Sequence, residues 1–406
     1  YSLHYVYDGA GQMLEQTDAL GHVQRFGYNG AGQVTATKTI NEQGQEEVLS
    51  TTDYDLVGNA LEVRDGENNT TINEYNEMNQ LVKTVLPGDT TIDALTVDYF
   101  YDKRGNLLLE KYSDGKEVAY SYDNRGNMLT KEVKKADGSQ SLTESYAYDF
   151  GNNVKTYTDI FGSETTYTYD DLNLLKTTTS IVEGVTQTTT NAYDSNGNLT
   201  ETMDWLDNTT SFTYDDLNRL IESHDALGNR IEKYEYNDIH QQVKSVDAMN
   251  HETIFTYDRD GRLLTSTSSE NCVTTNTYDA VGNLKTVKDG ENNITSYEYD
   301  YLNRLKKVIN AKNEETSYSY DKNGNMLTQT DGENHMTTFV YNARGLVSKR
   351  YDHNGAGVDA KTVVYTYHAN GLMESMTDRN GVTTDYVYDV HGRLTCLLYT
   401  SDAADE

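Results

Sequence analysis

Side chains capable of chemistry are plentiful in this sequence, and their spacing decides what they can do. Adjacent carboxylates stand at Asp170/Asp171 and Asp215/Asp216, the kind of pair that serves general acid–base catalysis when both carboxyls face one cleft. Each pair follows a tyrosine in Tyr-Asp-Asp-Leu-Asn, and successive side chains of an extended segment point apart, so a turn role is expected instead. Asp-Gly-Glu-Asn-Asn at 65–69 and 289–293 resembles an oxygen-rich cation loop. It lacks the EF-hand ligand order and the nonapeptide of calcium-binding β-rolls, which leaves Asp capping of a turn. The nine histidines show neither HExxH nor paired ligand spacing, and Cys272 and Cys396 are too far apart for a CxxC site. Nucleophile-elbow, P-loop and dinucleotide motifs are absent. The sequence therefore suggests no catalytic residue, no metal and no cofactor. One side chain stands out, Trp205 in Asp204-Trp205-Leu206-Asp207-Asn208. An aromatic at a loop tip can stack on a sugar or anchor a partner, or can simply pack over its hairpin.

The elements that would position these residues are set by a repeat. Tyr101 to Leu107 reads Y-D-x-x-G-N-L, and the pattern returns at Tyr122–Met128, Tyr193–Leu199, Tyr278–Leu284 and Tyr320–Met326. Anchor tyrosines recur mostly every 21 residues, with steps of 26 from Tyr28 to Tyr54, Tyr75 to Tyr101, Tyr122 to Tyr148 and Tyr341 to Tyr367. Glycine or asparagine stands four residues after most anchors, the two types that accept positive φ at least cost. The frame is marked by Tyr7, Tyr54, Tyr101, Tyr122, Tyr193, Tyr257, Tyr278, Tyr320 and Tyr388. Its turn slots are marked by Gly105, Gly126, Gly197, Gly261, Gly282, Gly324 and Gly392. A second turn signal lies midway, as in Asp18–Gly21 and Asp225–Gly228. Between turns, Thr166-Tyr167-Thr168-Tyr169 and Ser317-Tyr318-Ser319-Tyr320 alternate with period two, which predicts strands. Two strands per unit give roughly 36 antiparallel strands. Tyr-x-Tyr pairs then share one face, and tyrosine ladders are expected to hold the sheet.

Composition agrees with a repeat architecture rather than a thick core. The chain of 406 residues has 34 Tyr, 7 Phe, 30 Gly and 1 Pro, and 36% of its residues are hydrophobic. A tyrosine suits a wall that is wet on at least one side. The net charge of −32 argues against binding nucleic acid or an anionic membrane surface, since both need basic patches. No apolar run approaches membrane-spanning length.

These residues resemble the RHS/YD-repeat family, with Y-D-x-x-G-[NR]-L followed by T-D-x-x-G and a Tyr-rich strand. The similarity runs from Tyr1 to about Leu394. The family includes bacterial polymorphic toxins, wall-associated proteins, insecticidal toxin complexes and teneurins. The resemblance implies an all-β fold, a continuous antiparallel hairpin sheet spiralling into a hollow, partial and open β-shell. It further implies a non-catalytic segment of a secreted or cell-surface bacterial protein, whose partner is a C-terminal toxin domain of the same polypeptide. Related repeats in adhesion proteins make a cell-surface carbohydrate-binding module the alternative. The D-P-x-G segment that often closes bacterial repeat regions is missing, because Pro87 is the only proline, so no autoproteolytic residue can be assigned. Residues 1–394 are expected to form the shell segment and 395–406 a non-repeat tail, artefactual or disordered. An open spiral would expose raw strand edges, which favours self-association.

Overall fold

The computed structural model describes residues 3–135, 137–353 and 361–400. Among them are thirty-six strands, beginning at His4–Tyr7 and ending at Leu394–Thr400. Each strand pairs antiparallel with the next in sequence, as Glu315–Tyr320 does with Met326–Thr330. The result is one continuous sheet that never closes on itself. The last strand crosses the boundary expected at 394, with Val387 opposite Cys396 and Tyr386 opposite Leu397. The Thr395–Thr400 stretch, although outside the repeat pattern, extends the ladder; residues 401–406 lie outside the described residues.

The repeat motif is explained by one turn, used at both ends of the strands. At Asp102 the main-chain N–H donates to the Asn106 carbonyl at 2.9 Å, and Gly105 N–H donates back to the Asp102 carbonyl at 3.1 Å. Asp102 Oδ1 accepts from the amides of Arg104 and Asn106, while Oδ2 accepts from Asn106 Nδ2 at 2.9 Å. A type I turn followed by a left-handed residue adds one residue to one strand and produces a bulge. Gly105 has φ +90°, and the register shifts just before the anchor tyrosine in strand after strand, for example between Ser319 and Tyr320. The midway turns have the same construction: Asp18 binds the amides of Leu20 and His22, and Gly21 donates to the Asp18 carbonyl. Where asparagine takes the left-handed slot, it also links neighbouring turns. Asn59 Nδ2 reaches Asn79 Oδ1 at 3.1 Å, and Asn198 reaches Asn218 at 2.8 Å.

The two faces of the sheet differ. On one, hydroxyls pair across strands, as Thr256 with Thr265 and Ser319 with Thr328, both at 2.6 Å. Lys244–Glu252 and Lys307–Glu315 add exposed ion pairs there, which solvent and salt screen. The other face carries the anchor tyrosines, most of them half-buried. Their rings do not form the expected stacked ladder. Among the described residues, no ring contact joins two anchors; the nearest pair is Tyr146 with Tyr157, centroids 5.1 Å apart. Instead the hydroxyls bridge two strands, Tyr320 OH donating to the Leu305 carbonyl at 2.7 Å and Tyr122 OH to that of Leu107 at 2.9 Å. Strand spacing keeps successive anchors apart, while the phenol is long enough to reach the carbonyl that the bulge leaves free.

Candidate functional site

The turn aspartates and three of the histidines singled out for chemistry have a structural task. Asp170 Oδ1 accepts from the amides of Leu172 and Leu174, both at 2.9 Å, and Asp171 faces solvent. Asp215 caps its own turn and also binds Arg219 Nε at 2.7 Å. Neither pair faces a common cleft. In the 65–69 loop, Asp65 accepts from the amides of Glu67 and Asn69 and from Asn69 Nδ2. Among the described residues no group of three or more His, Cys, Asp or Glu could hold a metal ion. His22, His251 and His335 substitute for asparagine as the side-chain partner of the turn aspartate, with Nδ1 at 2.9, 3.0 and 3.1 Å from Asp18, Asp247 and Asp331. Cys272 and Cys396 are exposed free thiols. Trp205 sits at the tip of a midway turn, 46% exposed.

The repeat anchors divide into tyrosines that tie strands and glycines that turn the chain. Tyr54, Tyr101, Tyr193, Tyr257 and Tyr278 donate their hydroxyls to the carbonyls of Val34, Leu81, Leu175, Gln242 and Leu263. Tyr7 lies exposed on the first strand, and the Tyr388 ring meets His368 edge-on at 6.4 Å. Gly197, Gly261, Gly282 and Gly324 take the left-handed slot at φ +86°, +82°, +101° and +89°. None of these four borders the cleft described below; what the structure shows for them is their place in the turns. Nor does crowding demand glycine there. A Cβ on Gly324 would meet nothing within 4 Å, and on Gly197 only Leu174 Cδ1 at 3.7 Å. On Gly261 and Gly282 it would meet the flexible ends of Gln241 at 3.2 Å and Arg262 at 3.5 Å. Asn79, Asn173, Asn218 and Asn303 fill equivalent slots at φ 59° to 62°. Glycine is therefore one solution among several to a positive φ, with His240 and Asp207 filling such slots at 67° and 62°, and the glycine set alone understates the frame. Gly392, at φ +82°, faces Leu372 Cδ1 at 3.3 Å.

The turn chemistry perturbs the carboxylates in one direction. The Asn106 side chain and main chain hold the Asp102 carboxyl below its ordinary value, and Asn208 does the same for Asp204. Tyrosines move the other way. Burial and the nearby Glu144 carboxylate push Tyr146 up to about 12.

The place where the molecule assembles more than a single hairpin is a seam that the sequence did not disclose. After some 255 residues the sheet returns to its own edge, and hydrogen bonds appear between residues 251 to 264 positions apart. They join midway turns of the first winding to anchor turns of the second. Tyr301 OH donates to Glu47 Oε2 at 2.7 Å, and Lys306 Nζ meets Glu42 at 2.7 Å. Asn323 binds Asp65 and the Gly66 amide, and the Lys322 amide donates to Glu67. The Ala343 amide donates to Asp89 Oδ2 at 2.6 Å, while Arg344 donates to the carbonyls of Pro87, Asp93 and Ala369. Further along, Arg393 lies over the Phe161 ring, 4.9 Å from its centroid.

The seam also holds much of the small dry core. Val390, at the tip of an anchor turn, packs on Val118 and Val133 of the first winding, each of the three no more than 7% exposed. Leu95 and Val97, beside the loop that Arg344 grips, are 4% and 5% exposed. Leu95, Val97 and Val133 stand in the longer hairpins of the 26-residue steps, which bring them to the edge. A cleft of about 800 Å³ remains along this line, bordered by Lys116, Lys135, His368, Tyr388 and Asp389. Its floor is the Tyr face, and its mixed charges converge on no single group. No sequence motif marks the seam, because its partners come from two stretches far apart in sequence. The lengthened hairpins were its only trace.

Comparisons with known proteins follow the geometry. The teneurin YD-shell family model matches residues 277–398, and the RHS repeat model matches 7–46, 101–140 and 193–230. No curated protein matches the sequence. Among solved structures, that of TcdB2-TccC3 without its hypervariable C-terminal region superposes with TM-score 0.68 at 14% identity over 100% of this chain. The Tc holotoxin pore of Photorhabdus luminescens, carrying a TccC3 point mutant, superposes with TM-score 0.66 at 13% identity over 99% of this chain. Both likenesses concern the fold, and the chain spans about a quarter of those proteins' length, 27% in each case. With its motif repeated along the sheet and the two repeat models together matching more than half of its length, this chain belongs to the RHS/YD-repeat family.

Proposed function

We propose that this chain is a non-catalytic wall segment of a hollow β-shell in a secreted or surface-exposed bacterial protein, and that the shell encloses or presents a toxin domain lying C-terminal to the repeats. The observation that carries this is the single sheet winding back onto its own edge, with the motif aspartates and tyrosines spent on turns and strand-to-strand ties. Such a wall separates an interior from solvent without reactive groups of its own. Solved structures with this fold include a Tc holotoxin and a TcdB2-TccC3 assembly determined without its hypervariable C-terminal region, a region whose place in that protein supports a cargo at that end. The net charge of −32 makes a basic cargo the better electrostatic fit. A sugar-binding role for Trp205 draws no support from these relatives.

The test is to express the complete reading frame and analyse the purified product by mass spectrometry and limited proteolysis. A C-terminal piece that is cleaved yet co-purifies and resists protease supports enclosure. A C-terminal region digested as fast as in a separately expressed control refutes it.

A further inference from the structure

The cleft of about 800 Å³ on the seam holds charges of both signs, but its acids are already engaged. Asp114 and Asp137 each cap a turn, accepting from the amides of Lys116 at 3.0 Å and Ser139 at 2.9 Å. Asp389 caps its own turn and also holds the Arg393 guanidinium, at 2.7 Å from Nε and 2.6 Å from Nη2. The bases are placed differently. Lys116 and Lys135 stand directly opposite each other on adjacent strands, an arrangement in which like charges repel. Their neighbours Lys111 and Lys134 pair with Glu117 and Glu132, yet neither Lys116 nor Lys135 has an ion-pair partner among the described residues. Lys116 Nζ lies over the Tyr112 ring, 4.4 Å from its centroid, and the Asp137 carboxylate reaches Lys135 only through space.

The second winding brings two histidines to the same cleft. His368 is the one residue after an anchor tyrosine that is neither Asp nor Asn. Its ring caps nothing: the Leu372 amide donates to Asn370 Oδ1 instead, at 3.0 Å, and the imidazole lies edge-on to Tyr388. The exchange gives up the capping carboxylate and, with it, a negative charge at the cleft. His391, in the next anchor turn, keeps a buried Nε2 without a partner, and buried polar atoms of this kind are rare. Opposed lysines, a missing motif aspartate and an unpartnered imidazole each break a local rule, and such breaks gather at functional sites. In a chain of net charge −32 they meet at one cleft, of a size that suits a small ligand. We propose that this cleft binds a phosphate group, free or carried on a small organic molecule, which bridges the lysines of the first winding and the histidines of the second and so fastens the seam. Lys116 and Lys135 provide the charge-assisted donors, and Tyr386 and Tyr388 provide ring surface for an organic portion. All of these groups belong to the wall, so the site does not depend on the reading of the chain as a toxin shell.

The experiment is isothermal titration calorimetry of the chain with inorganic phosphate and with phenyl phosphate, in a buffer free of other oxyanions. At least one of the two is expected to bind saturably with a Kd of about 1 mM or tighter. Tighter binding of phenyl phosphate assigns a ligand whose organic portion lies on Tyr386 and Tyr388, and tighter binding of inorganic phosphate assigns the bare anion; either result supports the site. Lys116→Gln with Lys135→Gln, and separately His368→Asp, are each expected to weaken binding about tenfold or more. His368→Asp restores the residue that other anchor turns use, so folding is retained, and circular dichroism checks this. Lys285→Gln, an exposed strand lysine elsewhere, is expected to bind as wild type does. Hydrogen exchange with saturating ligand should slow in peptides covering 114–118 and 368–372, one from each winding, and not in Arg230–Tyr236. No saturable binding below about 10 mM overturns the proposal. So do variants at the cleft that bind as tightly as wild type, and a ligand that slows exchange in neither winding.

Discussion

Removing one arginine should loosen the seam while leaving the sheet intact. Arg344 stands in an anchor turn of the second winding and donates to the carbonyls of Pro87 and Asp93 in the first winding, and of Ala369 in the next turn of its own. Burial lowers its guanidinium pKa, yet it remains charged, as arginine does in proteins. A hydrogen bond from a charged group contributes about 1.5–3 kcal/mol, and a buried carbonyl left without a donor costs a further 1–3 kcal/mol. Water can reach part of this site in Arg344→Ala, which limits the loss to about 3 kcal/mol, or roughly 100-fold in a local opening equilibrium. Hydrogen exchange with mass spectrometry reads this directly. Peptides covering 87–95 and 342–346 report on it, because the amides of Ala343 and Ile92 both depend on Asp89 at this contact. Their exchange should accelerate about 100-fold, while peptides in the strands Arg230–Tyr236 and Gln242–Asp247, bonded to their sheet neighbours, should not change. Acceleration below about tenfold at the seam, or equal acceleration in the control strands, would refute the view that the windings are held together by these turn contacts.

Other predictions concern the repeat itself. Aspartates such as Asp102, Asp123 and Asp204 have pKa values lowered by their turn hydrogen bonds, so their contribution is complete above the unfolded value of about 3.9 and disappears as pH falls through the folded values. Melting temperature should hold steady from pH 8 to 5 and drop below about pH 4; a flat profile to pH 3 would contradict this. Tyr146 and Tyr301 are pushed up to about 12, so their stabilisation is complete below about pH 10 and vanishes as pH rises through the folded value. An ultraviolet tyrosinate titration should show a late-titrating class that merges with the rest in denaturant. Gly126 holds φ +90° with room around it, and asparagine occupies equivalent slots at φ 59° to 70°. Thermal melts should therefore find Gly126→Asn near neutral and Gly126→Val worse by about 1–2 kcal/mol. Tyr320→Phe removes one hydroxyl–carbonyl bond and should cost about 1 kcal/mol by urea unfolding; no loss would make that bond incidental.

Much of this architecture was legible in the amino-acid order because it is local. Asp102, Gly105 and Asn106 lie within five residues, and a turn of that length is specified by which side chains can cap it and which can take positive φ. Tyr318 and Tyr320 share a face because the strand period is two. The strand order followed as well, since each hairpin pairs with the one before it. What the tyrosines do is not legible in the sequence: period two places the rings on one face but does not decide whether they touch, and the hydroxyl-to-carbonyl tie forms beside a bulge visible only in three dimensions. The role of Val390, Arg344 and Glu47 was beyond reach for the same reason at larger scale. Their partners lie about 250 residues away, and which turn meets which is set by strand twist and coiling accumulated over some 23 strands. Small angles summed around a winding are a property of the tertiary structure, and they decide where the shell seals and where its edges stay open.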